Sequence, residues 1–177
     1  MVRPFDRLIR LLRHRWRSGS LPAALRGAAL KRLTQKVRQS ERRHSGQIRL
    51  CLEGGLPVSY LWRGASARER AITLFGKLRV WDTEQNNGVL IYLLLADRAV
   101  EIVADRGLAR GVTPQQWEQL VASMAEGLQN GHFEEALNRA IDKVSALLEL
   151  HFPADASTRD ALVNELSDAP AIGPDFF

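Results

Sequence analysis

Two apolar runs separated by a short polar turn occupy the middle of the chain. Residues 89–95 (V-L-I-Y-L-L-L) and residues 99–104 (A-V-E-I-V-A) flank Asp97 and Arg98. Runs of this length and composition, joined by a polar turn, predict a β-hairpin. The first run is apolar on both of its faces, which is typical of a central strand covered by helices on both sides.

Helical periodicity predicts several helices around this hairpin. Residues 4–17 read as an amphipathic helix, residues 23–43 as a basic helix with a thin apolar stripe, and residues 133–150 as the last long helix. Ser66 with Glu69, and Thr113 with Gln116, have the spacing of capping boxes and predict two further helix starts. A short strand is expected over residues 48–52. We therefore predict an α/β fold: a small mixed sheet covered by helices on both faces (a three-layer α/β/α sandwich), plus an N-terminal amphipathic helix.

Breaks in the pattern divide the chain into three parts. A basic amphipathic arm covers residues 1–20, an α/β domain covers residues 21–153, and a polar, proline-containing segment over residues 154–177 is predicted to be a loose tail. Cys51 is the single cysteine, so no internal disulfide forms, and its apolar neighbours predict a core position. No apolar run reaches the ~18 residues of a membrane span, and no secretory signal core follows the basic start. We therefore expect a cytoplasmic protein that meets a membrane only at the surface of the inner membrane.

Charge is distributed unevenly along the chain. Residues 1–50 hold fourteen Lys and Arg residues against two acidic ones, a net charge of +12, whereas residues 51–177 have a net charge of −7. A basic segment attached to an acidic body predicts an anionic partner for the basic segment.

The arm has an apolar sector about 100° wide, with arginines on the opposite side. The candidate residues for contact with a membrane or another anionic partner are Phe5, Leu8, Leu12, Trp16, Arg10, Arg13 and Arg17. Such a helix fits an anionic membrane surface or a membrane protein. Two alternatives stay open. One is nucleic acid, with arginines on phosphates and Trp16 stacked on a base; the other is a helix that packs on its own domain or on a partner and keeps its arginines in water. The compact apolar sector favours lipid or protein over nucleic acid.

Polar residues flank the predicted hairpin at the end opposite its turn. Asn86 and Asn87 precede the first strand and Asp105 follows the second, so their oxygens can converge as weak ligands for Ca²⁺ or Mg²⁺. The alternative is a solvated loop in which Asn87 holds a turn and Asp105 pairs with Arg106. His44 is a candidate general base or phosphate contact, or alternatively a cation that closes the end of the basic helix. The chain contains no recognised nucleophile or phosphate-loop motif.

With these segments placed, the sequence resembles the TPM-domain family, a group named for a thylakoid-lumen protein. The resemblance covers roughly residues 33–170 and is carried by residues 40–49, Phe75, residues 87–92, 97–107, 131–133, 151–153 and 164–166. It implies an α/β sandwich with a cleft where some members bind divalent cations and where acid phosphatase activity has been proposed. The chain is most similar to a short soluble bacterial branch, often encoded near LemA-type membrane proteins, which implies a partner of that kind.

The chain departs from the pattern of this family at two places. Asn86, Asn87 and Gly88 stand where the family typically has Asp-Asn-Gly, and the loop over residues 105–109 lacks a final glutamate. A hard cation prefers several anionic oxygens. We therefore predict a non-catalytic binding module at the cytoplasmic membrane surface or with a membrane-protein partner. The alternatives are a divalent-cation-dependent acid phosphatase and a nucleic-acid-binding module.

Overall fold

The computed structural model describes residues 4–17, 21–154 and 164–173, and this part of the chain forms helices around one sheet. The helices are α1 (Pro4–Arg17), α2 (Ala28–Ser40), α3 (Val58–Trp62), α4 (Ala67–Lys77), α5 (Arg106–Ala109), α6 (Pro114–Ala122), α7 (Ala125–Gln129) and α8 (Phe133–His151). The strands are β1 (Gln47–Glu53), β2 (Gly88–Leu94), β3 (Ala99–Ala104) and β4 (Ala171–Ile172).

The sheet is mixed, with the strand order β3-β2-β1-β4. β2 and β3 pair antiparallel around the turn at Asp97 and Arg98, so the predicted hairpin is confirmed. β1 pairs parallel with β2 on one side and with β4 on the other. The carboxyl ends of β1, β2 and β4 therefore point to one edge of the sheet, and the polar loops before β2 and after β3 lie at the opposite edge.

Side chains of β2 alternate between two separate cores, as a strand with a period of two requires. Val89, Ile91 and Leu93 belong to a core shared with α2 and α8. Leu90, Tyr92 and Leu94 belong to a second core shared with α4. Both faces of the sheet are therefore covered, and the three-layer prediction is confirmed. Cys51 is fully buried in the second core, where burial raises the pKa of its thiol.

The segment after α8 differs from the predicted loose tail. Residues 171–172 form β4, and the N–H of Gly173 donates to the carbonyl of Leu52 at 3.0 Å. The Arg49 guanidinium donates to the carbonyls of Ser167 and Ala169 at 2.5 and 2.6 Å. The prediction is therefore wrong for residues 164–173, because β1 has a free edge that these residues complete. Residues 155–163 and 174–177 lie outside the described part of the chain.

Three smaller features complete the fold. The predicted basic helix begins only at Ala28, because Gly27 has a φ of +51° and interrupts the chain after a short 3₁₀ turn. The capping box of Thr113 and Gln116 is present at the start of α6. Among the described residues, none of the helices has the length and apolar character needed to cross a bilayer.

Candidate functional site

The predicted cation ligands lie at the sheet edge before β2, where the hairpin ladder brings them together. Asn87 is buried, its N–H donates to the Thr83 hydroxyl at 3.1 Å, and its Nδ2 lies 3.4 Å from the Ser45 hydroxyl. The N–H of Asp105 donates to the carbonyl of Gly88 at 2.8 Å, which places Asp105 beside the residue that follows Asn87. The main chains of Asn87 and Asp105 are therefore neighbours at this edge of the sheet, and convergence of their side-chain oxygens stays a prediction.

Two oxygens of this cluster have no hydrogen-bond donor among the described residues. Asp105 caps α5, since its Oδ1 accepts the N–H of Arg106 at 2.6 Å, but its buried Oδ2 accepts nothing. The Oδ1 of Asn87 is likewise buried and unpaired within the described ranges. Buried acceptors of this kind are usually satisfied by water, an ion or another donor.

Asn86 has a different environment from the other two candidates. It takes a left-handed conformation with φ of +52°, which asparagine tolerates better than most residues. Its side-chain oxygen accepts a hydrogen bond from Nε of Arg106 at 3.0 Å. The side-chain oxygen of Asn86 is therefore occupied by Arg106. Arg106 makes this contact in place of the Asp105–Arg106 ion pair that the alternative interpretation predicted.

The chemistry of the cluster limits what it can hold. One carboxylate oxygen and one amide oxygen are far fewer than the six to eight oxygens that Ca²⁺ takes. No group of three or more His, Cys, Asp or Glu side chains suited to a metal occurs in the described ranges. Two such oxygens leave most of the coordination positions of a divalent cation to water.

His44 is a neutral structural residue. Its ring is completely buried, and Nδ1 lies 3.0 Å from the carbonyl of Gly46, to which it donates. Burial lowers the pKa of His44 to about 4, so the ring carries no charge at neutral pH. The expectation of a cation at the end of the basic helix is therefore wrong, and α2 already ends at Ser40.

A second candidate site lies at the carboxyl edge of the parallel strands, where α1 docks on the body. His14 is fully buried, and its Nδ1 accepts the N–H of Leu56 at 3.0 Å. Its Nε2 then carries the proton and donates to Asp97 at 3.0 Å. A Cβ on Gly55 would lie only 2.5 Å from the backbone oxygen of His14, so α1 approaches this glycine directly.

Arginines complete the docking contact around the hairpin turn. Arg10 and Arg13 reach the Asp97 carboxylate at 3.3 and 2.5 Å, and Arg10 also donates to the carbonyl of Ala65. Arg17 donates to the carbonyl of Leu95 at 2.8 Å. Burial raises the pKa of Asp97, but the hydrogen bond from His14 and the positive charges of Arg10 and Arg13 outweigh this effect and lower the pKa to about 2.

The docked helix turns its apolar stripe away from the body. The side chains of Ile9, Leu12 and Trp16 are 47%, 55% and 89% exposed. On a helical wheel of about 100° per residue, this stripe lies almost opposite His14, and Arg10 and Arg17 lie beside that histidine. The structure describes the main chain of Phe5 and Leu8, the other predicted apolar contacts, but not their side chains. The helix thus docks through its polar face and presents its apolar face to the surroundings.

An apolar groove opens beside this stripe. It has a volume of about 350 Å³ and lies just beyond the carboxyl ends of β1 and β4. Its lining consists of Leu11, Leu12, Arg15, Glu53, Gly54, Gly55, Leu56, Pro57, Val58, Leu61 and Gly173. Ligand sites of α/β sheets favour this edge, outside the carboxyl ends of the strands.

Much of the basic charge of the first fifty residues is used inside the molecule. Besides the pairs with Asp97, ion pairs join Arg32 to Glu134, Lys36 to Asp142, Arg38 to Asp168, and Arg43 to Glu149, at 2.6 to 3.1 Å. Acidic side chains of the body are therefore anionic partners of the basic segment, whereas the sequence predicted an external partner.

Comparison with known proteins identifies the fold family. The family model described as "TPM domain" matches residues 22–147. The chain belongs to the TPM domain family. A solved structure, the NMR structure of the BA42 protein from the psychrophilic bacterium Bizionia argentinensis, is similar with a TM-score of 0.69. The two are 24% identical, and the match covers 88% of this chain and 97% of BA42, so it shows a shared fold. The comparison with curated proteins gave no match.

The matched TPM domain begins after α1, so the docked helix is an addition to the part that defines the family.

Two buried features of this TPM protein were not predicted from the sequence. The first is the docking role of His14: its position among Arg10, Arg13 and Arg17 marks a polar face, but nothing within α1 indicates that this face docks. The second feature is a buried network in which Arg70 contacts both carboxylate oxygens of Glu53 at 2.5 and 3.0 Å, while the Tyr92 hydroxyl donates to the same carboxylate at 2.7 Å. The only signal for it was a glutamate at the end of an apolar strand, before Gly54 and Gly55.

Proposed function

We propose that this protein is a non-catalytic binding module that attaches to an anionic membrane surface through α1. The observation that supports the proposal is the outward apolar stripe of Ile9, Leu12 and Trp16 on a helix held by its polar face. Exposed apolar surface of this kind is uncommon unless a partner covers it, and a helix lying in the membrane interface buries such a stripe.

Charge beside the stripe supports an anionic membrane. On the helical wheel, Arg13 and Arg15 lie on the two sides of the stripe, and both are exposed to solvent. Arginines in these positions meet lipid headgroups while the stripe enters the apolar region. Arg10 and Arg17 instead fix the orientation of α1 on the body, and Arg13 contributes to both surfaces, since its guanidinium also pairs with Asp97.

Vesicle cosedimentation tests the proposal. The double variant Ile9→Asp/Trp16→Asp is expected to bind phosphatidylglycerol-containing vesicles about a hundredfold more weakly, since each buried side chain contributes about 1.5 kcal/mol or more. Leu150→Asp is the matched control, because Leu150 is 72% exposed on α8 and belongs to the opposite end of the sheet. Equal vesicle binding by the double variant and the native protein would refute the proposal.

Two other partners are outcomes of the same experiment. Displacement of the protein from vesicles by an oligonucleotide would favour the nucleic-acid alternative. The protein could instead fail to bind lipid vesicles but bind vesicles that carry a LemA-type membrane protein, with the double variant binding them more weakly. That result would identify a protein rather than lipid as the partner.

A second candidate function is weak binding of a divalent cation at Asn87 and Asp105. It is supported by the two buried oxygens that lack a donor among the described residues. Titration with Ca²⁺ or Mg²⁺ is expected to shift the amide resonances of Asn87, Gly88 and Asp105 in the native protein but not in Asp105→Asn. If the cation supports phosphatase chemistry, the rate of phosphomonoester hydrolysis will fall on chelation and in Asp105→Asn. A rate that neither change lowers would refute this function.

A further inference from the structure

The groove between α1 and α3 has walls suited to an apolar ligand. Its described lining has only two charged side chains, Arg15 and Glu53. The Glu53 carboxylate is committed to Arg70 and to the Tyr92 hydroxyl. The part of a ligand that enters the groove therefore meets leucine, proline and valine side chains rather than hydrogen-bonding groups.

Main-chain groups along the groove are also largely occupied. The carbonyls of Glu53 and Gly54 accept from Leu95 and Ala96 at 2.9 Å, and the N–H of Leu56 donates to His14. The N–H of Gly173 donates to Leu52. A peptide that binds by strand addition needs main-chain partners, whereas a hydrocarbon chain needs none. The groove therefore favours hydrocarbon over peptide.

The groove is continuous with the proposed membrane surface. Leu12 belongs both to the exposed stripe and to the groove lining, and Val58 on the facing wall is 61% exposed. Arg15 lies at the groove and on the flank of the stripe, so its positive charge complements a phosphate attached to the chain that enters. A volume of about 350 Å³ is at the lower end of typical ligand sites.

We propose that this groove binds one acyl chain of an anionic phospholipid, with the headgroup phosphate near Arg15. The proposal rests on the membrane function above for the source of its ligand. It adds a defined lipid-binding site on the body, distinct from the interfacial insertion of Ile9 and Trp16, neither of which lines the groove.

Monomeric lipid separates this site from membrane attachment. Dioctanoyl phosphatidylglycerol, added below its critical micelle concentration to the full chain, is expected to give saturable amide shifts at Gly54, Gly55 and Gly173. Val58→Trp, which narrows the groove, is expected to weaken this binding tenfold or more, because each methylene left in water lowers affinity about fourfold. Ile72→Trp is the matched control, since Ile72 is similarly exposed at 54% on α4 and does not line the groove.

The outcomes distinguish the groove from the membrane function. Absent or unsaturable shifts, or equal affinity of Val58→Trp and the native protein, would overturn the acyl-chain site even if vesicles bind through Ile9 and Trp16. Saturable shifts that Val58→Trp removes would support the site even if vesicle binding fails. Equal affinity for dioctanoyl phosphatidylcholine, which has the same chains and no net charge, would overturn the assignment of Arg15 to an anionic headgroup.

Discussion

Replacing Asp97 by asparagine should release α1 from the body. This carboxylate accepts a hydrogen bond from buried His14 and pairs with Arg10 and Arg13, so one side chain joins three residues of the helix to the hairpin turn. Asparagine keeps an acceptor of similar shape but removes the negative charge. An isolated helix of about this length is only marginally stable in water, so an undocked α1 should also lose helical structure.

Two estimates of the loss agree. The pKa of Asp97 is lowered from 3.8 to about 2, and each pKa unit corresponds to about 1.36 kcal/mol, which gives about 2 kcal/mol. Counted by contacts, a hydrogen bond to a charged group contributes about 1.5–3 kcal/mol, and each partly exposed arginine pair adds at most about 1 kcal/mol. Asp97→Asn should therefore weaken docking by about 2–3 kcal/mol.

Hydrogen exchange of the α1 amides measures this loss. Exchange should be about 30- to 100-fold faster in Asp97→Asn, since each 1.4 kcal/mol is a factor of ten. Because the pKa in the docked state is lowered, the Asp97 contribution is present above about pH 4 and is lost as the pH falls towards about 2. Asp142→Asn is the control, since Asp142 pairs with Lys36 on the exposed surface and should leave α1 unchanged. Equal α1 exchange in Asp97→Asn and the native protein would show that the cluster does not hold the helix.

Three further predictions concern the body of the protein. Arg70→Met leaves the buried Glu53 carboxylate without its cation and should lower the free energy of unfolding, measured in urea, by about 3–5 kcal/mol. The double variant Glu53→Gln/Arg70→Met should restore most of this loss, and equal losses in both variants would contradict the prediction. Burial raises the pKa of Glu41 to about 8, above its ordinary value of 4.5. The native protein should therefore lose about 1–3 kcal/mol of its free energy of unfolding as the pH rises from about 4.5 to 7. An unchanged pH dependence of stability in Glu41→Gln would refute this assignment. Gly88→Ala would place a Cβ 1.9 Å from a backbone oxygen and should lower Tm sharply. Gly76 lies in open space within α4, so Gly76→Ala should stabilise the protein by about 1 kcal/mol. Similar Tm changes in the two variants would contradict this account of the packing.

The layered core was predictable because it follows from local periodicity. Residues 89–95 are apolar at every position, and only a strand covered on both faces buries such a run. The capping residues Ser66 and Thr113 fixed two helix starts, because their side chains bond to amides only three residues away. By contrast, β4 has two residues and no period of its own, so its pairing depends entirely on the free edge of β1.

The orientation of α1 was not predictable from its own residues. Periodicity identified the apolar sector correctly, but the usual inference is that such a sector packs on the core. The opposite face docks because Gly55 and Asp97 offer a close approach and a carboxylate, and these residues lie about 40 and 80 positions from His14. Likewise, the hairpin predicted that Asn87 and Asp105 converge, but nothing local indicated that Arg106 would bind the Asn86 side chain.

The buried docking contacts of α1 and its exposed apolar stripe occupy opposite sides of the helix, and this separation has an evolutionary consequence. Effects of substitutions that share no contacts are usually additive, so changes at Ile9 or Trp16 should barely alter the contacts of His14 and Asp97. Selection for folding constrains the side of the helix that carries His14 and does not constrain the side that carries Ile9 and Trp16. Descendants of this chain can therefore acquire new surface chemistry, and with it new partners, without first evolving a more stable domain.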